Sequence, residues 1–179
     1  CRYCDTAYAY EEGRELTAAA LVEMARAHPH RLVLVTGGEP LLQAETPALL
    51  TALLDAGFTT CLETNGSLPI DAVDARVHRI LDVKCPGSAM AEHNDWRNLD
   101  FLNPRDEVKF VVCDRSDFTW ALEVIGRHGL AERLPVLISP VFGQVELMEA
   151  AAWILESRLP LRLNPQLHKY IWGTKVRGV

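Results

Sequence analysis

Leu32-Val33-Leu34-Val35-Thr36-Gly37-Gly38-Glu39-Pro40 is the stretch that decides the fold: an apolar run of strand length that stops in a Gly-Gly turn, followed by a carboxylate and a proline. A continuous Leu/Val run, unlike an alternating one, marks a strand covered on both faces, as in a parallel sheet flanked by helices. The pattern recurs. Thr59 to Thr64, Arg79 to Lys84, Val108 to Val112, Val136 to Ser139 and Leu161 to Asn164 read as strands. Between them Thr17 to His28, Pro47 to Ala56, Asp117 to His128 and Val145 to Arg158 read as helices, the first with Leu21, Met24 and Ala25 at i, i+3 and i+4, the second with Leu49, Leu50, Leu53 and Leu54. Thr17 and Thr46 have the chemistry of N-caps, and Gly57 and Gly129 that of helix stops. Strands alternating with helices predict an α/β fold with mostly parallel strands. The longest stretch without a period, Pro86 to Arg105, predicts a loop with a short helix, and loops of that length are often functional.

The 179 residues, 49% hydrophobic and 23% charged, suffice for a single domain spanning residues 1–179 with a real core. A net charge of −6 and a pI near 5.5 argue against a broad phosphate-neutralising face, so small-molecule ligands are expected, with no direct nucleic-acid or membrane partner. No apolar stretch approaches the ~20 residues that cross a bilayer, and no basic-then-apolar leader is visible, so the expected compartment is the cytoplasm. Five cysteines are an odd number, and Cys61, Cys85 and Cys113 sit in apolar runs where reduced thiols are commoner than disulfides.

In parallel α/β folds ligands collect beyond the carboxyl ends of the strands, where several loops converge. The ends here are Thr36-Gly37-Gly38-Glu39, Glu63-Thr64-Asn65-Gly66, Asp82-Val83-Lys84, Ser139-Pro140 and Asn164-Pro165-Gln166. One polar strand end is ordinary turn chemistry, but polar groups at nearly every end point to a binding site. Gly37-Gly38 lets the backbone pass close to a ligand, and Glu39 supplies a carboxylate suited to an ammonium or hydroxyl group. Lysine is scarce, confined to Lys84, Lys109, Lys169 and Lys175, and the first two fall in or at the end of apolar strands, where an unpaired charge is costly. Alternation puts Asp82 and Lys84 on one face, so Lys84 reads equally well as a ligand contact or as half of an internal ion pair; Lys109 reads as paired. His168, within Gln166-Leu167-His168-Lys169-Tyr170-Ile171-Trp172, lies among aromatics suited to a flat heterocycle. Trp120 and Trp153 fall in helical segments and read as core.

Cys1-Arg2-Tyr3-Cys4-Asp5-Thr6 opens the chain. The Cys-x2-Cys spacing alone suits zinc, an iron–sulfur cluster or a redox dithiol. Taken with Thr36-Gly37-Gly38-Glu39-Pro40, Glu63-Thr64-Asn65-Gly66, Asp82-Val83-Lys84-Cys85-Pro86 and Gln166-Leu167-His168-Lys169, however, the chain resembles the radical S-adenosylmethionine superfamily, whose signature is Cys-x3-Cys-x2-Cys followed by a Gly-Gly-Glu strand end. The Cys4-Asp5-Thr6 and His168-Lys169 elements resemble, within it, the 7-carboxy-7-deazaguanine synthase family of queuosine and 7-deazapurine biosynthesis, over essentially the whole chain.

That resemblance implies a partial (β/α) barrel of radical S-adenosylmethionine type with its first strand missing. It also implies a carbon–nitrogen lyase that converts 6-carboxy-5,6,7,8-tetrahydropterin to 7-carboxy-7-deazaguanine with loss of ammonia. Three thiolates would hold a [4Fe–4S] cluster and leave one iron open to S-adenosylmethionine, whose reductive cleavage gives a 5′-deoxyadenosyl radical that takes hydrogen from C6 of the pterin. By motif, Cys1 and Cys4 are implied cluster ligands and Thr6 the hydroxyl that binds Mg²⁺. Tyr3, Asp5, Gly38, Asp82, Val83, Lys84, Ser139, Pro140, Val141 and Phe142 are implied S-adenosylmethionine contacts, and Thr36, Glu63 and His168 pterin contacts. No protein side chain is assigned a catalytic role. The implied partners are an external electron donor of flavodoxin or ferredoxin type and a second copy of the chain in a homodimer.

The first signature cysteine, the opening strand and the family's Gln-Gly-Glu-Gly segment and substrate-binding Arg would lie upstream of Cys1, so the chain reads as an enzyme without its N-terminus, inactive in this form. Its tail beyond His168 runs on to Val179, so C-terminal substrate contacts of shorter relatives do not transfer. Two other readings stay open: another radical S-adenosylmethionine enzyme, such as an activase of glycyl-radical enzymes, and a non-catalytic α/β module with structural zinc.

Overall fold

β1 runs from Leu32 to Val35, β2 from Thr59 to Thr64 and β3 from His78 to Lys84, and each lies parallel to the next, with Leu34 opposite Cys61 and Cys61 opposite His78. The computed structural model describes residues 1–10, 13–174 and 176–177; Lys175 and the tail end at Val179 lie outside the described residues. Two compact units are present: Cys4–Asp82 with His93–Glu107, and Cys1–Tyr3 with Val83–Glu92 and Val108–Val179.

In the first unit α1 spans Ala18–Arg26 and α2 Thr46–Asp55. Thr17 caps α1 as its sequence predicts, its Oγ1 accepting the Ala20 N–H at 3.2 Å. Thr46 does not cap α2. It is the first helical residue, and its hydroxyl donates to the Pro40 carbonyl at 2.6 Å, binding the helix start to the turn after β1. Val22, Leu53 and Phe58 make the apolar centre of this unit, joined by Val33 and Val35 from β1. The other face of β1 is open: Leu32 is 64% and Leu34 49% exposed, so the unbroken apolar run is covered on one face only.

Arg79, near the start of β3, is anchored by a buried ion pair. Its Nη2 lies 2.6 Å and its Nε 2.9 Å from Asp106 Oδ2, while Asp106 Oδ1 accepts the Arg79 N–H at 2.9 Å and Oδ2 also takes the Asn103 N–H at 2.8 Å. Two buried charges with saturated hydrogen bonding are tolerable; one alone is not. The segment predicted as a loop with one short helix holds three 3₁₀ turns, Pro86–Ser88, Ala91–His93 and Trp96–Asp100. In the last of these, buried Asn98 acts as a hub: its amide nitrogen donates to the Gly66 and Leu68 carbonyls and its oxygen accepts the Ile70 N–H.

In the second unit β4 (Glu107–Val112, whose first residue belongs to the other unit), β5 (Val136–Pro140) and β6 (Leu161–Leu163) are parallel in turn, with Phe110 opposite Ile138 and Ile138 opposite Leu163. Their helices are α3 (Arg115–His128), α4 (Leu130–Arg133), α5 (Leu147–Ser157) and α6 (Leu167–Trp172). α3 begins at Arg115, not Asp117, because the Asp114 carboxylate caps it by accepting the Asp117 N–H at 2.9 Å. It ends at Gly129, whose φ of +58° is the left-handed stop its sequence predicts. Trp153 is buried and tilted against Phe118 at 5.6 Å between ring centres, and half-buried Trp120 stands edge-on to Phe110 at 6.5 Å. Among the described residues no helix is long and apolar enough to cross a membrane.

Replacing Asp106 with Asn strands the Arg79 guanidinium in the interior, and urea unfolding should show a loss of about 3–5 kcal/mol. Thr60 gives the opposite sign. Its hydroxyl is buried without a hydrogen-bond partner, so Thr60→Val should stabilise the chain by about 1 kcal/mol in the same assay.

Candidate active site

Thr36, Gly37 and Gly38 stand exposed at the end of β1, whereas Glu39 is only 8% exposed. The Glu39 carboxylate is turned inward. Oε1 accepts the Thr64 hydroxyl at 2.8 Å and the Leu41 N–H at 3.0 Å, and Oε2 accepts the Asn65 N–H at 2.7 Å. The hydroxyl that this carboxylate meets is the chain's own: a desolvated carboxylate needs several donors, and its own turn and the end of β2 supply them. The result is a cross-brace that leaves the Thr36–Gly38 backbone facing outward. Glu63, adjacent to the brace on β2, is half-buried on the face opposite Thr64. Earlier in this unit the Thr6 hydroxyl donates to Asp5 Oδ1 at 2.9 Å.

The second unit repeats the device. Asp117, 3% exposed, accepts the Gly87 N–H through Oδ1 at 2.8 Å and the Cys113 N–H through Oδ2 at 3.0 Å, tying the turn after β3 to the end of β4. Here Ser139 donates its hydroxyl to the Asn164 carbonyl at 2.6 Å, and the Phe142 N–H donates to Gln166 Oε1 at 3.1 Å, so the turn after β5 is fastened to the start of α6. Lys169 donates to the same Gln166 oxygen at 3.2 Å and lies 5.9 Å from the centre of the Phe142 ring, against which Tyr170 packs edge-on at 4.9 Å. His168 is half-buried on α6, Pro140 and Val141 are buried, and on β3 Asp82 and Val83 are buried while Lys84 is half-buried. Cys1 is exposed; the neighbouring Arg2 N–H donates to the Ser88 carbonyl at 3.1 Å and the Tyr3 hydroxyl to the Val111 carbonyl at 3.4 Å.

None of the five cysteines is in a disulfide. Cys1 and Cys4 have the soft-donor chemistry of an iron–sulfur ligand pair, and among the described residues no cluster of three or more His, Cys, Asp or Glu side chains completes a metal site. Burial pushes Cys61 up, with Glu107 adding to it; for Cys113 burial, then the charge and hydrogen bond of Asp117, raise the thiol to about 12. Cys85 is fully buried. Asp117 and Asn98 were not recognisable as site supports from composition or periodicity. The Asp114-x-x-Asp117 spacing of a capping box was the one available signal for Asp117.

At pH 8 about one Cys113 in ten thousand should be thiolate, so iodoacetamide should label it far more slowly than exposed Cys1, with labelling rising only as pH nears 12. Because its folded pKa exceeds the ordinary 9.0, its stabilising contribution should hold below pH 9 and fall between pH 9 and 12. Glu39→Ala should orphan the Asn65 and Leu41 amides and cost about 1–3 kcal/mol in denaturant titration.

The family profile described as the Radical SAM superfamily matches residues 1–128. The 7-carboxy-7-deazaguanine synthase of Chlorobaculum tepidum is 47% identical over 182 aligned residues, covering 100% of this chain and 83% of that protein. The synthase of the same name from Koribacter versatilis is 37% identical, covering 100% of this chain and 86% of that protein. Among solved structures, Streptococcus suis SuiB bound to S-adenosylmethionine superposes with a TM-score of 0.63 at 13% identity over 92% of this chain; the chain spans 47% of SuiB. This likeness shows the fold, an α/β architecture with parallel strands. The superfamily brings S-adenosylmethionine and an iron–sulfur cluster as cofactors, so the structural-zinc reading is set aside. The chain belongs to the Radical SAM superfamily and, within it, to the 7-carboxy-7-deazaguanine synthase family.

Proposed function

We propose that the chain forms the core of a carbon–nitrogen lyase that turns 6-carboxy-5,6,7,8-tetrahydropterin into 7-carboxy-7-deazaguanine and ammonia. The reaction is balanced without an external oxidant, since the product and ammonia together contain the atoms of the pterin. The observation that carries the proposal is 47% identity to a synthase of that name across the entire chain, which also favours it over the glycyl-radical activase reading.

Residues 1–179 are taken as one core domain. Cys1 and Cys4 are assigned to a [4Fe–4S] cluster. When bound, the cluster and S-adenosylmethionine supply the electron and the carbon radical for hydrogen abstraction. The rest of the work is binding and orientation. Tyr3, Asp5, Gly38, Asp82 to Lys84 and Ser139 to Phe142 are assigned to S-adenosylmethionine; the open Thr36–Gly38 backbone supports this for Gly38. Thr36, Glu63 and His168 are assigned to the pterin, where a carboxylate and an imidazole can hydrogen-bond a guanidine-like edge. The Thr6 oxygen is assigned to Mg²⁺. Family resemblance supports a homodimer in the cytoplasm, reduced by a flavodoxin- or ferredoxin-type donor.

The test is anaerobic reconstitution of the complete reading frame containing this chain, with iron, sulfide, S-adenosylmethionine, Mg²⁺ and a strong reductant. The expected result is equimolar 7-carboxy-7-deazaguanine and ammonium from the pterin. A cluster-loaded protein that cleaves S-adenosylmethionine but leaves the pterin intact would overturn the substrate assignment. Glu63→Gln should raise KM for the pterin by about 10- to 100-fold, the loss of one charge-assisted hydrogen bond, measured by steady-state product formation.

A further inference from the structure

The turn that receives Arg2 is built under constraint. Pro86–Ser88 is a single 3₁₀ turn, closed by the Ser88 N–H donating to the Cys85 carbonyl at 3.0 Å and by the Ser88 hydroxyl donating to that same oxygen at 2.6 Å. It exits through Ala89 at φ +60°, a left-handed conformation that an alanine adopts only when its surroundings dictate it. Ser88 is fully buried, although its carbonyl accepts the N–H of Arg2, the residue following exposed Cys1. Asp117 restrains this turn from outside, its Oδ1 accepting the Gly87 N–H at 2.8 Å. The fit is so close that a Cβ on Gly87 would lie 2.4 Å from Asp117 Oδ2 and 3.1 Å from Cys113 Sγ. Asp117 is fixed in turn by its own N–H donating to Asp114 at the cap of α3. The Arg2 N–H and the Tyr3 hydroxyl thus donate to the Ser88 and Val111 carbonyls, and Asp117 holds the turn that carries the first of these acceptors.

We infer that Asp117 is a positioning residue for the cluster-binding segment: through the Gly87–Ser88 turn it sets where the Arg2 backbone, and with it the Cys1 thiolate, is held. Asp117 touches no reacting atom. The inference rests on the assignment of Cys1 to the cluster, and its physical part, the brace itself, does not.

The experiment compares wild type, Asp117→Asn and Gly87→Ala in the complete reading frame, with exposed Glu123→Gln on α3 as the control. Asn offers one acceptor oxygen where two N–H groups need one each, and the Gly87→Ala methyl collides with the carboxylate, so the two variants attack the contact from opposite sides. In metal-free protein, amide hydrogen exchange should speed up at least tenfold at both Ser88 and Arg2 in each variant and stay unchanged in the control. In cluster-loaded protein the electron paramagnetic resonance change on adding S-adenosylmethionine should need about tenfold more of it to half-saturate. Folded variants with wild-type exchange at Arg2 and a wild-type half-saturation point would overturn the inference. Should Asp117→Asn fail to fold, Gly87→Ala alone decides by the same two criteria. A wild-type protein that forms no cluster, or keeps it after Cys1→Ala, would refute the ligand assignment, while the metal-free exchange still judges the brace.

Discussion

A carboxylate withdrawn from water must be surrounded by donors, and Glu39 meets that demand with one hydroxyl and two backbone amides drawn from its own turn and from the end of the neighbouring strand. Because two of the donors, Thr64 and Asn65, stand at the end of β2, the turn after β1 is no longer a free loop but one side of a hydrogen-bonded joint. The same solution recurs with other side chains. Asn98 joins the loop after β2 to the Trp96–Asp100 turn, Asp117 joins the turn after β3 to β4, and Ser139 and Gln166 join the turn after β5 to the segment after β6. Each joint lies at a carboxyl end, where an α/β protein of this kind gathers its ligands.

Two of these joints, at Glu39 and Asp117, commit a buried carboxylate to internal donors. What faces outward beside Glu39 is backbone at Thr36, Gly37 and Gly38. Carboxylates committed to internal amides also condition nearby sulfur: Asp117, at the Cys113 thiol, helps keep it protonated at neutral pH. Burial acts in the same direction on Cys61 and Cys113, so both thiols are harder to ionise than an ordinary cysteine.

The elements were legible from the sequence because long apolar runs and helical spacing report them directly: β2 at Thr59–Thr64 has the predicted limits, and β3 and β5 differ by one residue at one end. Short elements left no periodic trace. α4 and α6, four and six residues long, are set by Gly129 and by the contacts of Gln166, not by an amphipathic repeat. Thr46 misled because its hydroxyl found a nearer acceptor in Pro40. Residue types at the candidate site were readable from motif spacing, yet the direction of each side chain was not. Whether Glu39 turns toward a ligand or toward Thr64 depends on burial, which a Gly-Gly-Glu triplet does not encode.

Ala89 carries a last consequence. Glycine would occupy its left-handed backbone with less steric penalty, but would add freedom to the segment whenever the surrounding contacts loosened. An alanine there narrows the range of shapes open to the turn. A small molecule arriving beside such a stiff segment immobilises little that was moving, so its affinity is not diluted by an entropic toll of loop ordering.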